Sequence, residues 1–196
     1  DWALMADDAG LLLNWFGPSS VSAVVAGTRV TLRQDTEYPR KGRVAVRVDP
    51  AKPTRFSLKL RVPYWSEGTR VKLNGQSLDA TTIQAGHYLV VDRQWRRGDV
   101  VILELGFKLR HWVGEKECRG RSSLYRGPVL LTYDRRFNEL DPNQLPSLDA
   151  ATLKPRLMPS KHAVDAIVLV DCVDASGARL RLCDFGSAGE GGSPYL

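Results

Sequence analysis

Phe56-Ser57-Leu58-Lys59-Leu60-Arg61-Val62 alternates apolar and polar side chains at every step, and Arg43-Val44-Ala45-Val46-Arg47-Val48 repeats the pattern with three valines on one side. A period of two puts one row of side chains on each face of an extended chain, so both segments read as strands with one dry and one wet face. Working outward, Val71-Lys72-Leu73 runs into Asn74-Gly75, a pair that accepts the positive φ of a type I′ hairpin turn. Tyr88 to Val91 and Val100 to Leu105 continue the alternation. Pro, Gly and Asn punctuate it at about ten-residue intervals, and 3.6-residue periodicity is nearly absent. The fold class this predicts is all-β: an antiparallel β-sandwich or jelly roll over residues 1–110, with little helix.

Beyond Trp112 the texture changes, and residues 111–196 read as a second, smaller and incomplete β unit. Leu124 to Tyr133 is a strand pair broken at Gly127-Pro128. Residues 138–160 hold four prolines and little alternation, which predicts a long loop with a short helical turn near Leu148 to Leu153. A final hairpin joins 166–173 to 178–185 around Ser176-Gly177. A two-residue turn there sets Cys172 opposite Arg181 and Cys183 opposite Val170, leaving the two sulfurs diagonal and too far apart for an easy bridge. Cys118, Cys172 and Cys183 therefore read as free thiols, and no Cys-x-x-Cys spacing points to zinc.

The 196 residues are 43% hydrophobic and 26% charged, the composition of a globular protein with room for a core. No run approaches the roughly 18 apolar residues that span a bilayer, which argues against a membrane partner. The start, Asp1-Trp2-Ala3, has no basic segment leading into an apolar one, and a chain opening without Met reads as a piece of a longer protein. The formal charge of +6 is spread along strands in alternation with apolar residues, as on the wet face of an antiparallel sheet. Only Arg93-Gln94-Trp95-Arg96-Arg97 concentrates it, with no nucleic-acid-binding motif nearby, so no nucleic-acid partner is expected.

Little in the chain reads as catalytic. His87, His111 and His162 are scattered without metal-ligand spacing, and there is no Gly-x-Ser-x-Gly elbow or Gly-rich phosphate loop. Asp35 and Glu37, two apart, would share one face of a strand, and a glycosidase needs two carboxylates roughly 5 to 9.5 Å apart, but acidic residues at strand ends are commonplace. No catalytic or metal-ligating residue is assigned. Trp65, Tyr88 and Trp95, with Tyr64 and Trp112, fall near strand ends. There a flat ring either plugs the core or stacks on a sugar.

The order of short motifs carries more than any one of them. Gly10-Leu11-Leu12-Leu13-Asn14-Trp15-Phe16 with Pro18-Ser19 is followed by Gln34-Asp35-Thr36-Glu37-Tyr38-Pro39 with Gly42, and then by Leu60-Arg61-Val62-Pro63-Tyr64-Trp65. Val71 to Gly75, Gly86-His87-Tyr88, Arg93 to Asp99 and Leu124-Tyr125-Arg126-Gly127-Pro128 complete the series. In this order the chain resembles the region after the catalytic barrel in glycoside hydrolase family 127, the β-L-arabinofuranosidases. The resemblance implies a parent with an (α/α) barrel carrying a catalytic glutamate and a zinc-bound cysteine nucleophile, followed by β-sandwich domains. None of the three cysteines here lies in the family's adjacent-cysteine motif, so zinc is expected only in the missing catalytic domain. The expected role is support of that N-terminal domain, with a homodimer as a further partnership. The alternative is a carbohydrate-binding module holding a glycan through Trp65, Tyr88 and Trp95. Leu11, Leu13, Trp15 and Phe16 are the candidates for the barrel interface, though their alternation fits the sandwich core equally well.

Overall fold

The structure is a computed structural model that describes residues 2–139, 141, 145, 152–159, 166–175 and 177–196. These divide into two units, Asp1–Phe107 and Lys108–Leu196.

In the first unit the strands are β1 (Leu4–Asp7), β2 (Gly10–Leu13), β3 (Ser19–Val25), β4 (Thr28–Thr36), β5 (Arg43–Pro50), β6 (Thr54–Arg61), β7 (Arg70–Leu73), β8 (Gln76–Ser77), β9 (Tyr88–Trp95) and β10 (Asp99–Glu104). They form a four-stranded sheet ordered β1-β2-β6-β9 and a six-stranded sheet ordered β3-β4-β5-β10-β7-β8. The rows read from the sequence are the core: Val44, Val46 and Val48 from one sheet join Phe56, Leu58 and Leu60 from the other in a single buried cluster with Leu103 and Trp95. Each such side chain contributes roughly 1.5 to 3 kcal/mol by leaving water. The intervening Arg43, Arg47, Arg55 and Arg61 are exposed on the outer faces.

One pairing departs from the antiparallel plan: β2 lies parallel to β6, with Gly10 beside Ser57 and Leu13 beside Leu60. A parallel partner needs a long crossover, and the three strands β3 to β5 of the other sheet supply it. Gly10 is required at the entry, because a Cβ there would stand 2.1 Å from the Ser57 carbonyl oxygen.

The Asn74-Gly75 turn forms as read, with Leu73 opposite Gln76 and φ values of 49° and 84° at the two central residues. Asn74 does more than turn the chain. Its side-chain amide donates to Asp99 Oδ1 at 2.8 Å and its carbonyl accepts from the Val100 N–H at 2.8 Å, tying the hairpin to β10.

The second unit is one sheet of β11 (Leu109–Val113), β12 (Ser122–Arg126), β13 (Val129–Tyr133), β14 (Lys154–Leu157), β15 (Leu169–Val173) and β16 (Arg179–Asp184), ordered β11-β12-β13-β16-β15-β14. Two expectations are corrected here. Residues 138–160 are not all loop, since β14 pairs with β15 along the sheet edge, where Pro155 leaves no central ladder bond unmade. In the final hairpin Val173 faces Arg179, so the turn is longer than two residues and the register differs from the expected one. Cys172 faces Leu180 and Cys183 faces Leu169, which puts the two thiols on opposite faces of the sheet. Both are free and buried, and burial pushes them up to about 11 and about 12. The expected helical turn near 148–153 falls mostly outside the described residues. Thr152 and Leu153 are not helical.

The C-terminal segment is fastened by Asp134, a fully buried residue with no counterpart among the sequence candidates. Its carboxylate accepts from the Arg136 guanidinium at 2.9 Å, from the N–H groups of Arg136 and Gly189 at 2.8 and 2.9 Å, and from the Ser193 hydroxyl at 2.8 Å. Burial alone would raise its pKa, but these donors outweigh it and hold the carboxyl well below the usual carboxylate range.

Two stability experiments follow from these contacts. By chemical denaturation, Gly75→Val costs about 1 to 2 kcal/mol through backbone conformation alone, since no atom would touch the new Cβ. Asn74→Gly keeps the turn but loses two hydrogen bonds, about 1 to 2 kcal/mol. Asp134→Ala removes the buried partner of Arg136, leaving it Glu190 and the Ser187 carbonyl, leaves the Gly189 and Ser193 donors without this acceptor, and lowers stability by about 3 kcal/mol. Because the folded pKa of Asp134 is depressed, its contribution is present above the unfolded value near ~3.9 and fades as pH falls below it. A pH series should therefore show wild type and Asp134→Ala converging in acid.

Candidate functional site

The motif residues of the first unit gather at the two ends of the sandwich. At one end β2 and β6 finish side by side and β9 begins, with Leu13 beside Leu60 and Arg61 opposite Tyr88. Phe16, Tyr38, Phe107 and Trp65 form an edge-to-face series with centroids 6.0, 6.3 and 5.3 Å apart, closing the core at that end. Gly42 lies within this series because a Cβ would come 2.4 Å from the Leu105 carbonyl, which packs beside it. The Gln34 side chain donates to the Trp15 carbonyl at 3.2 Å and to the Ser19 hydroxyl at 3.0 Å. Thr36 Oγ1 receives the Tyr38 N–H at 3.0 Å, and the Gly106 N–H donates to Ser66 Oγ at 2.8 Å. Burial raises the Tyr38 hydroxyl above its ordinary pKa.

At the other end Trp95 is fully buried, its indole N–H donating to the Phe56 carbonyl at 2.9 Å and its ring 5.7 Å from that of Phe56. The Arg93 guanidinium lies over it at 5.4 Å. Asp99 accepts from the Arg96 N–H at 2.9 Å, and the Gly98 N–H donates to Asp49 at 3.0 Å. The arginines around Trp95 thus border a core plug and a turn rather than a binding groove.

The predicted site residues divide accordingly. Leu11, Leu13 and Phe16 are core, at 0%, 2% and 2% exposure, so they form no outer face; β2 is an inner strand whose odd positions point between the sheets. Trp15 alone of that set is exposed, at 41%, with its ring over Gly17. Of the sugar-contact candidates, Trp95 presents no ring face to solvent and Trp65 is half-buried against Phe107. Tyr88 is exposed at 42%, and its hydroxyl donates to Asn14 Oδ1. Tyr64 and Trp112 are also exposed.

Asp35 points outward opposite Ala45, while Glu37 lies past the end of β4 in a turn and pairs with Lys41 at 2.6 Å, so the two do not form an acid/base pair on one strand. His87 and His111 are exposed; His162 lies outside the described residues. Among the described residues no group of three or more His, Cys, Asp or Glu could hold a metal ion. In the second unit a cleft of about 620 Å³ is lined by Gly114, Cys118, Arg121, Ser122 and Leu196, and it contains no motif residue.

The two exposed-versus-buried tryptophans are separable by mutation. Trp95→Ala should cost about 3 to 5 kcal/mol in thermal or chemical unfolding, as large-to-small aromatic changes in cores do. Trp15→Ser should cost less than half as much, because much of its ring is already in water.

Comparison with known proteins agrees with the motif order. The sequence model described as "Beta-L-arabinofuranosidase, GH127 middle domain" matches residues 10–107. No curated protein matches the chain. Among solved structures it is similar to a GH127 beta-L-arabinofuranosidase from Geobacillus stearothermophilus T6, at 22% identity and a TM-score of 0.80, covering 100% of this chain and 34% of that one. A protein described as a glycoside hydrolase matches at 21% identity and a TM-score of 0.81, over 100% of this chain and 36% of its own. A GH127 beta-arabinofuranosidase matches at 19% and 0.77, over 94% and 33%. The chain therefore spans about a third of the length of these structures. By the family match over residues 10–107, this chain belongs to the GH127 β-L-arabinofuranosidase family and contains its middle domain.

Proposed function

We propose that the chain is the non-catalytic β portion of a GH127 glycoside hydrolase acting on arabinose-containing glycans, and that it supports the enzyme's catalytic domain. The observation that carries this reading is what the motif residues do. Gln34, Thr36, Gly42, Asn74, Trp95 and Asp99 bond to or pack against their neighbours in the turns and ends of the sandwich. They hold a scaffold in shape. Zinc and the nucleophilic cysteine belong, on this reading, to the catalytic domain. The buried thiols Cys172 and Cys183, protonated at neutral pH, are poor nucleophiles.

A glycan-binding role is less well supported, because of Trp65, Tyr88 and Trp95 only Tyr88 offers an exposed ring. Retardation in arabinan or arabinogalactan gels tests it, and sedimentation tests the homodimer. For the main reading, the 196-residue chain should release no nitrophenol from an aryl β-L-arabinofuranoside with or without zinc, while the longer polypeptide does. Zinc-dependent turnover by the short chain that vanishes on Cys118→Ser, Cys172→Ser or Cys183→Ser would overturn it.

A further inference from the structure

The two outer faces of the first unit differ in chemistry. On the six-stranded sheet Arg33 and Arg47 stand directly opposite each other, 63% and 54% exposed, with Asp49 shared between them. Arg29 and Arg43 are exposed on the same side. Such a face is at home in water. On the four-stranded sheet the cross-strand row Met5, Leu12, Lys59, Val90 runs unbroken from β1 to β9. Met5 is 50% and Val90 53% exposed. Lys59 interrupts the row only by its stem, since its ammonium is bonded to the Asp7 carboxylate. Arg55 pairs with Asp92 at 3.2 Å, so two of the three cations on this face are neutralised within it, the third being Arg61 opposite Tyr88. Tyr88 continues the surface, its hydroxyl bonded to Asn14, whose own amide donates to the Trp2 carbonyl at 2.8 Å.

We propose that this outer face of the four-stranded sheet is the seat of the catalytic domain of the same polypeptide. The inference rests on the reading of the chain as part of a larger GH127 enzyme. A middle domain has a neighbour on its N-terminal side, and the family match opens at residue 10, the first residue of β2. A neighbour on that side reaches β2 through β1, which is the outer strand of this same sheet and supplies Met5 to the row. The solved relatives have about two thirds of their length outside the part this chain matches, ample for such a domain. The face also suits protein more than glycan. Lys59 and Arg55 already have carboxylate partners, and apolar side chains between them offer a sugar few hydrogen bonds but offer a packed domain the desolvation that stabilises an interface.

The test is thiol accessibility in two polypeptides, the 196-residue chain and the longer enzyme. Val90→Cys reports on the proposed seat, and Val24→Cys, on an edge strand of the other sheet and 67% exposed in the parent, serves as control. Maleimide modification is read at each position by mass spectrometry. The thiol at position 90 should label at least tenfold more slowly in the longer enzyme than in the short chain, with position 24 equally fast in both. Equal labelling at position 90 in both would overturn the proposal. So would protection at position 90 that arises in the short chain as its concentration rises, because that assigns the face to a second copy. Met5→Cys, at the opposite end of the row, repeats the measurement if Val90→Cys unfolds. Activity of the unlabelled longer enzyme on an aryl arabinofuranoside is scored separately. Loss of that activity tells against the proposed function, whereas the labelling ratio still decides the seat.

Discussion

Each sheet of the first unit has one apolar face, and neither face can leave water unless the other sheet covers it. That mutual coverage governs the rest. It puts Val44, Val46 and Val48 across from Phe56, Leu58 and Leu60 in one cluster, and it draws β2 inward so that Leu11 and Leu13 complete the layer. Two sheets laid face to face still leave open ends, and the aromatic residues close them. Phe16, Tyr38, Phe107 and Trp65 fill one end, Phe56 and Trp95 the other. Gly10 and Gly42 follow from the same demand, since each lies where a second backbone comes too near for a side chain.

Most of this was legible because a period of two is a geometric consequence of extended backbone, readable wherever one face is dry. Asn74-Gly75 was legible because few residue pairs accept two positive φ values in succession. What escaped was whatever depends on distant partners. Nothing local distinguishes Trp95 as a buried plug from Trp95 as a sugar platform until its indole N–H is seen on the Phe56 carbonyl. The strand at 154–157 was hidden by Pro155, a residue that demotes a strand reading unless the strand is known to lie at an edge. The hairpin register around Gly177 failed because a longer turn replaces the expected one, and a register that slips by one residue moves Cys172 and Cys183 to opposite faces. Asp134 gave no signal, because two of its donors, Gly189 and Ser193, come from a segment that reads only as a glycine-rich tail.

The family signature is therefore a signature of architecture. Its order in this chain records which turns, plugs and close approaches the sandwich needs. Asp35 and Glu37 illustrate this: two apart in the motif, they serve an outer sheet face and a turn.

The parallel pairing of β2 with β6 also orders events in time. Gly10 meets Ser57 only after the intervening chain has been laid down in the other sheet, whereas β3, β4 and β5 pair with immediate neighbours in sequence. Closing a long loop has an entropic cost that local hairpins avoid, so short-range meanders form readily and distant pairings lag. The β3-β4-β5 meander is thus the first part able to assemble, and β2, like β10 on β5, docks after it. Until β2 docks, the inward sides of Leu58 and Leu60 stay partly open, and late entry of residues 10–13 leaves that apolar surface exposed to misassociation during folding.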